Sequence, residues 1–203
     1  MAGRPGLRGL GPGAADTMIS RLQLCFPHAC RVDGPGELAF EPGLNVLVGP
    51  NGSGKSTVLR ALHDCDECRK VSDGTPATQY FSSETMNPHT AGGAPGDWRN
   101  MVLRTRGLFS SHGQIMKAAL ASFPLRQGET LLVDEPEAGQ DLEGVERMRR
   151  GFAAICSGGG QVIAASHHPL FLRDGNIIEL LDGYAEKVRT GYCRALCERV
   201  DAP

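Results

Sequence analysis

Residues 49–57 read Gly-Pro-Asn-Gly-Ser-Gly-Lys-Ser-Thr, and the segments on either side decide how the whole chain is read. Before them, "LNVLV" (44–48) is a near-continuous apolar run, as expected for a central strand buried on both faces. After them, "VLRALHDC" (58–65) has helical spacing, with Val58, Leu59 and Leu62 turned inward. Strand, glycine loop and helix form the context that G-x-x-x-x-G-K-[ST] requires. The glycines let backbone N–H groups turn inward around phosphate oxygens, and the helix N-terminus adds a favourable dipole. Asn51, Gly52, Ser53, Gly54, Lys55, Ser56 and Thr57 are therefore candidate binding residues for a nucleotide. Lys55 is expected to reach its β- and γ-phosphates, and Ser56 to hold Mg²⁺ through its hydroxyl.

Working outward, "ETLLVDEPE" (129–137) is a second buried strand that delivers acids to its carboxyl end, where ligands of such sheets bind. Asp134 is expected in the Mg²⁺ shell, and Glu135 to polarise an attacking water. Glu137 is expected to be an ordinary solvated acid. "GGGQVIAASHHP" (158–169) is a third buried strand, ending in His167 and His168. Neighbours on a strand diverge, so one histidine alone can orient water beside a γ-phosphate. Between them "DLEGVERMRRGFAAIC" (141–156) predicts a helix with Leu142, Val145, Met148 and Phe152 on one face. "MISRLQLCF", "GELAF", "ATQYF" and "NIIELLDG" predict further strands, and "YAEKVRTGYCRALCERV" after Asp182 is compatible with a helix but carries no readable role. Strands alternating with helices imply a mostly parallel sheet between helical layers.

One stretch asks for a second explanation. "SSHGQIMKAAL" (110–120) opens a helix on five small or polar residues, although one capping serine would suffice. A serine hydroxyl, open N–H groups and a helix N-terminus together make an anion site.

The chain has 203 residues, 40% of them hydrophobic, which suits one domain with a sizeable core. We expect a disordered Gly/Pro/Arg-rich arm over 1–17 and a single domain over 18–203. A net charge of −2 leaves no overall electrostatic footprint for nucleic acid or anionic membrane, although a local basic patch is left open. No apolar run is long enough to span a bilayer and the N-terminus lacks a signal-peptide core, so a cytoplasmic location is expected. Seven cysteines are then expected as reduced thiols. The Cys65/Cys68 and Cys193/Cys197 pairs would offer four zinc ligands if the fold joined them. They are far apart in sequence and lack knuckle histidines or glycines, so small, partly buried side chains are the expected reading.

The motifs GPNGSGKST, SSHGQ, LLVDEPE and ASHHP, in this order, resemble the ATP-binding cassette (ABC) ATPase superfamily. The stretch from SHGQ to the late strand is most similar to small soluble bacterial AAA-family, ABC-like ATPases. The likeness runs from about Met18 to Leu181 and is weak between Asp64 and Arg99. It implies an α/β P-loop NTPase fold of ABC type, with an N-terminal antiparallel β subdomain and a reduced helical lobe. It further implies that SSHGQ corresponds to the signature L-S-G-G-Q, with Ser111, Gly113 and Gln114 as matches and His112 in place of the first glycine. In the superfamily that loop binds the γ-phosphate of ATP held by the other subunit. Asp141 matches the D-loop aspartate along the dimer seam, and His167 the switch histidine, since Pro169 follows. Gln79 is the candidate for the metal-binding Q-loop glutamine. No aromatic residue suited to stacking adenine precedes the glycine loop.

The expectation is a soluble ATPase that closes head to tail as a homodimer on two ATP·Mg²⁺, hydrolyses them and separates, with any further protein partner unidentified. Three alternatives stand beside it. A transporter subunit would contact its membrane partner through a small lobe, because only about 55 residues separate Lys55 from Ser110. A DNA repair or phage-defence ATPase would resemble chromosome-maintenance heads, but no sustained heptads of their coiled coil occur. A nucleotide-gated binding module with little hydrolysis is the third.

Overall fold

The computed structural model describes residues 18–72, 74–82 and 128–197. Two sheets share one core. Strands β1 (Arg21–Gln23), β2 (Glu37–Ala39) and β4 (Arg69–Val71) form an antiparallel sheet in the order β2-β1-β4. Strands β3 (Leu44–Val48), β5 (Thr78–Ser82), β6 (Thr130–Asp134), β7 (Gln161–Ala165) and β8 (Asn176–Glu179) form a sheet in the order β5-β6-β7-β3-β8. All its pairings are parallel. Helices α1 (Phe26–Ala29), α2 (Lys55–Asp64), α3 (Leu142–Ser157) and α4 (Tyr184–Cys197) complete the described elements, with a 3₁₀ turn at Phe171–Arg173.

The three central strands of the parallel sheet, β3, β6 and β7, are buried on both faces, which is why they read as near-continuous apolar runs. On one face Leu47, Leu132, Ile163 and Ala165 pack with Val58, Leu59 and Leu62 of α2 and with Leu22 and Leu38 of the small sheet. On the other, Val46, Val48, Leu131, Val133, Val162 and Ala164 meet Val145, Met148 and Phe152 of α3, with Phe152 against Phe171 at 5.7 Å between ring centroids. Leu142, expected on that inward face, is 64% exposed. It follows directly on Asp141, whose carboxylate caps α3 by accepting from the Gly144 N–H at 2.6 Å. The first helical residue still projects beyond the sheet, so periodicity alone misplaces it. The arm over 1–17 and the whole SSHGQ stretch, with Ser111, Gly113 and Gln114, lie outside the described residues.

A buried amide helps to join the two sheets. Gln161, fully buried at the start of β7, accepts from the Ile19 N–H at 3.0 Å and from the Thr130 hydroxyl at 2.9 Å. Its amide donates to the Ile19 and Glu41 carbonyls at 2.8 and 2.9 Å. Gln161→Leu keeps the volume but deprives the buried Ile19 N–H and C=O of this partner. We expect a loss of about 2–4 kcal/mol, since an unsatisfied buried polar group costs ~1–3 kcal/mol. Chemical denaturation checks it, and a midpoint unchanged from wild type would mean water replaces the amide.

Candidate active site

The glycine loop leaves β3 at its carboxyl end and enters α2. Gly54 makes that entry with φ +92°, and a Cβ there would lie 2.5 Å from the Arg31 carbonyl oxygen, so only glycine fits. The loop is braced from the small sheet's side by the Asp33 N–H, which donates to the Ser53 carbonyl at 3.0 Å. The first intrahelical bond is Val58 N–H to Gly54 C=O. The N–H groups of Lys55, Ser56 and Thr57 therefore face outward from the helix start. Arg31, Asn51, Gly52, Gly54, Lys55, Ser56, Thr57 and Glu135 line a cleft of about 260 Å³.

Lys55 is almost buried, and its ammonium donates to the Gly49 and Pro50 carbonyls at 2.9 and 3.0 Å. Burial pushes its pKa below the ordinary lysine value, and the charges of Glu135, Asp134 and Glu137 act in the opposite sense. Three acids thus lie close enough to sense the lysine. Asp134 closes β6, buried, and accepts from the Tyr80 hydroxyl at 3.0 Å. Burial and then the Asp134 charge push the Tyr80 phenol up to about 12, in keeping with its donation to that carboxylate. Glu135 has φ +48°, the left-handed region, and no other non-glycine residue among those described has a positive φ. Its N–H is held by the Ala165 carbonyl at 3.0 Å. Backbone strain of this kind needs such support, and it turns the side chain of Glu135 into the cleft.

Glu137 overturns its expectation. Its side chain is only 9% exposed and accepts from the Ser166 hydroxyl at 2.8 Å and the His167 N–H at 3.1 Å. It ties the β6 end to the β7 end, with His167 Nδ1 a further 3.8 Å away. His167 is exposed, while His168 turns inward edge-on to Phe171, and burial lowers its pKa. The two histidines thus diverge.

Gln79 is not brought to this site. It pairs with Leu131 near the start of the sheet and shares a face with Phe81, which packs on the α3 side. Tyr80, Leu132 and Asp134 share the α2 face, so strand alternation turns Gln79 away from Asp134. Its amide donates to Glu129 at 2.9 Å, at the opposite end of β6 from Asp134. The metal-ligand expectation for Gln79 is corrected accordingly.

Arg31 and Tyr80 escaped the sequence reading. Arg31 reaches the cleft only because the turn after α1 folds across the glycine loop, and no local motif marks it. Tyr80 could have been found from strand alternation, which sets it two residues from Ser82, the register partner of Asp134.

A parallel sheet whose glycine loop and acidic strand end converge at its carboxyl edge, with a small antiparallel sheet alongside, defines a P-loop ATPase. A family model described as an AAA domain matches residues 26–65. The zinc import ATP-binding protein ZnuC of Alkalilimnicola ehrlichii is 30% identical over 220 residues, covering 88% of this chain and 82% of its own. The hemin import ATP-binding protein HmuV of Myxococcus xanthus is 28% identical over 210 residues, covering 74% and 78%. The structure of cbiO1 from Clostridium perfringens, part of the ABC transporter complex cbiONQ, superposes with a TM-score of 0.55 at 16% identity, over 91% of this chain and 97% of that one. The chain belongs to the ATP-binding cassette ATPases, and its activity is ATP hydrolysis. Among the described residues no helix is long and apolar enough to cross a membrane.

Proposed function

We infer that the chain works as a cytoplasmic ATPase that closes head to tail on two ATP·Mg²⁺ and opens after hydrolysis. The observation that carries this reading is the convergence at adjoining strand ends of a nearly buried lysine, a cleft-facing glutamate on a strained backbone, and a glutamate tying in the switch histidine. The site suits the nucleotide. The buried Ser53 hydroxyl has no protein partner, and the α2 start turns its open N–H groups to the same place. In this reading the loop N–H groups and Lys55 bind the β- and γ-phosphates. Ser56 and Asp134 hold Mg²⁺, which supplies charge neutralisation, and Tyr80 fixes the Asp134 carboxylate. Glu135 takes the proton of the attacking water, and His167, steadied by Glu137, contacts the terminal phosphate. Phosphoryl transfer is mostly positioning and electrostatics, and these groups supply both.

Ser111, Gly113 and Gln114 of a second copy would complete each site. Asp141 and the exposed Leu142 beside it then lie on the seam. ATP bound across the seam favours the closed state over the open one, so its hydrolysis releases the dimer. Light scattering on the Glu135→Gln protein tests this, with a doubled molar mass expected on adding ATP·Mg²⁺. Ser111→Arg in the same background should prevent the doubling without loss of ATP binding. A protein that binds ATP and stays monomeric would overturn the homodimer.

A second reading follows from the names of the relatives, which are ATP-binding components of import systems. There the chain would couple its cycle to a membrane protein. Recovery in a detergent-extracted complex with an integral membrane protein would favour that reading.

A further inference from the structure

The cysteine pairs weighed in the sequence part company in the fold. Cys193 and Cys197 lie exposed on α4. Cys65 and Cys68 instead meet Cys25 and His28, some 40 residues earlier in the chain. The four donor atoms all lie within 4.8 Å of one another. Cys25 Sγ is 3.0 Å from His28 Nδ1, 3.4 Å from Cys68 Sγ and 3.9 Å from Cys65 Sγ, and Cys68 Sγ is 3.5 Å from His28 Nδ1.

These separations match one ion and no disulfide. Tetrahedral zinc, with Zn–S about 2.3 Å and Zn–N about 2.0–2.1 Å, sets its ligands roughly 3.8 Å apart for two sulfurs and roughly 3.6 Å for sulfur and nitrogen. A disulfide would bring its sulfurs to about 2.05 Å, and the three cysteines of this cluster are free thiols. The spacing C-x-x-H with C-x-x-C is that of a closed zinc site contributed by two short segments. The Cys25 N–H also donates to Cys68 Sγ at 3.3 Å, the kind of bond that steadies a metal-bound thiolate.

A second observation concerns α1, a single turn with no buried residue and no side-chain cap. Its Phe26 is 82% exposed, and Ala29 alone of its four residues packs, half-buried, against the apolar core. Cys25 at its start and His28 within it are its links to the end of α2 and the start of β4. The chain leaving α1 carries Arg31 into the nucleotide cleft and Asp33 onto the glycine loop.

We propose that Cys25, His28, Cys65 and Cys68 bind one structural Zn²⁺ that clamps α1 to the end of α2 behind the nucleotide cleft. Four protein ligands close the coordination shell, so the ion has no open position for chemistry. Three thiolates and a neutral imidazole form a soft donor set, which selects zinc over magnesium. Its role is to hold the Arg31–Asp33 turn against the glycine loop.

The test is elemental analysis of the full chain purified without chelators, with about one zinc per chain expected. Cys25→Ser and Cys68→Ser should each lose the metal, whereas the Cys193→Ser/Cys197→Ser double variant should retain it. Thiol titration of the wild-type native protein keeps the inference testable even if the serine variants fail to fold. Three of the seven cysteines should resist modification until a strong chelator is added. Addition of Co²⁺ to the chelated protein should restore protection and give the visible absorption of a tetrahedral cobalt thiolate. Zinc well below one per chain together with no cobalt spectrum would overturn the site, as would zinc retained in both Cys25→Ser and Cys68→Ser.

Discussion

Glu135→Gln is expected to lower ATP turnover by roughly 10²- to 10⁴-fold, the range that a positioned general base contributes. The amide keeps the shape of the side chain and removes only its capacity to accept a proton. The main chain at Glu135 is held at φ +48° by the bond from its N–H to Ala165, and this hold does not depend on the carboxylate. Steady-state phosphate release and nucleotide binding should therefore separate, with hydrolysis lost and ATP affinity kept within a few-fold. A variant that turns over at the wild-type rate would remove Glu135 as the base and leave water activation to another group. Loss of ATP binding in parallel would point to a collapsed cleft instead.

Lys55→Ala should weaken ATP binding by about 100-fold, since a hydrogen bond to a charged group contributes ~1.5–3 kcal/mol. Turnover should fall by roughly 10²–10³ as well, because in the proposed mechanism the lysine faces charge that builds up in the transition state. Electrostatics amplifies the binding effect. Asp134, Glu135 and Glu137 all act on Lys55, and without its charge they would repel the incoming phosphates. Titration with a fluorescent ATP analogue at fixed ionic strength measures this. Affinity within threefold of wild type would mean that the loop N–H groups alone hold the phosphates.

Much of this molecule is legible locally. The glycine loop announces itself because a phosphate cradle needs successive residues of one chain segment, and Gly52 to Thr57 are contiguous. The central strands are legible because burial on both faces suppresses alternation, and Val46–Val48, Leu131–Val133 and Val162–Ala165 show none. The short elements α1 and β4 leave no such mark. Each has three or four residues, too few for a period, and β4 exists only through its pairing with β1.

The sequence by itself determined the order of the motifs, the parallel sheet and the glycine loop that lines the cleft, because these rest on contiguous spacing. Tertiary structure alone decided what is assembled across the chain. It turned Gln79 to the wrong face of its strand, and it made Glu137 a buried tie to His167 rather than a solvated acid. It also carried Arg31 to the cleft, and it paired Cys65 and Cys68 with Cys25 and His28 instead of the tail cysteines. Each of these depends on distances between segments far apart in sequence, and residue spacing holds no record of such distances until the core has closed.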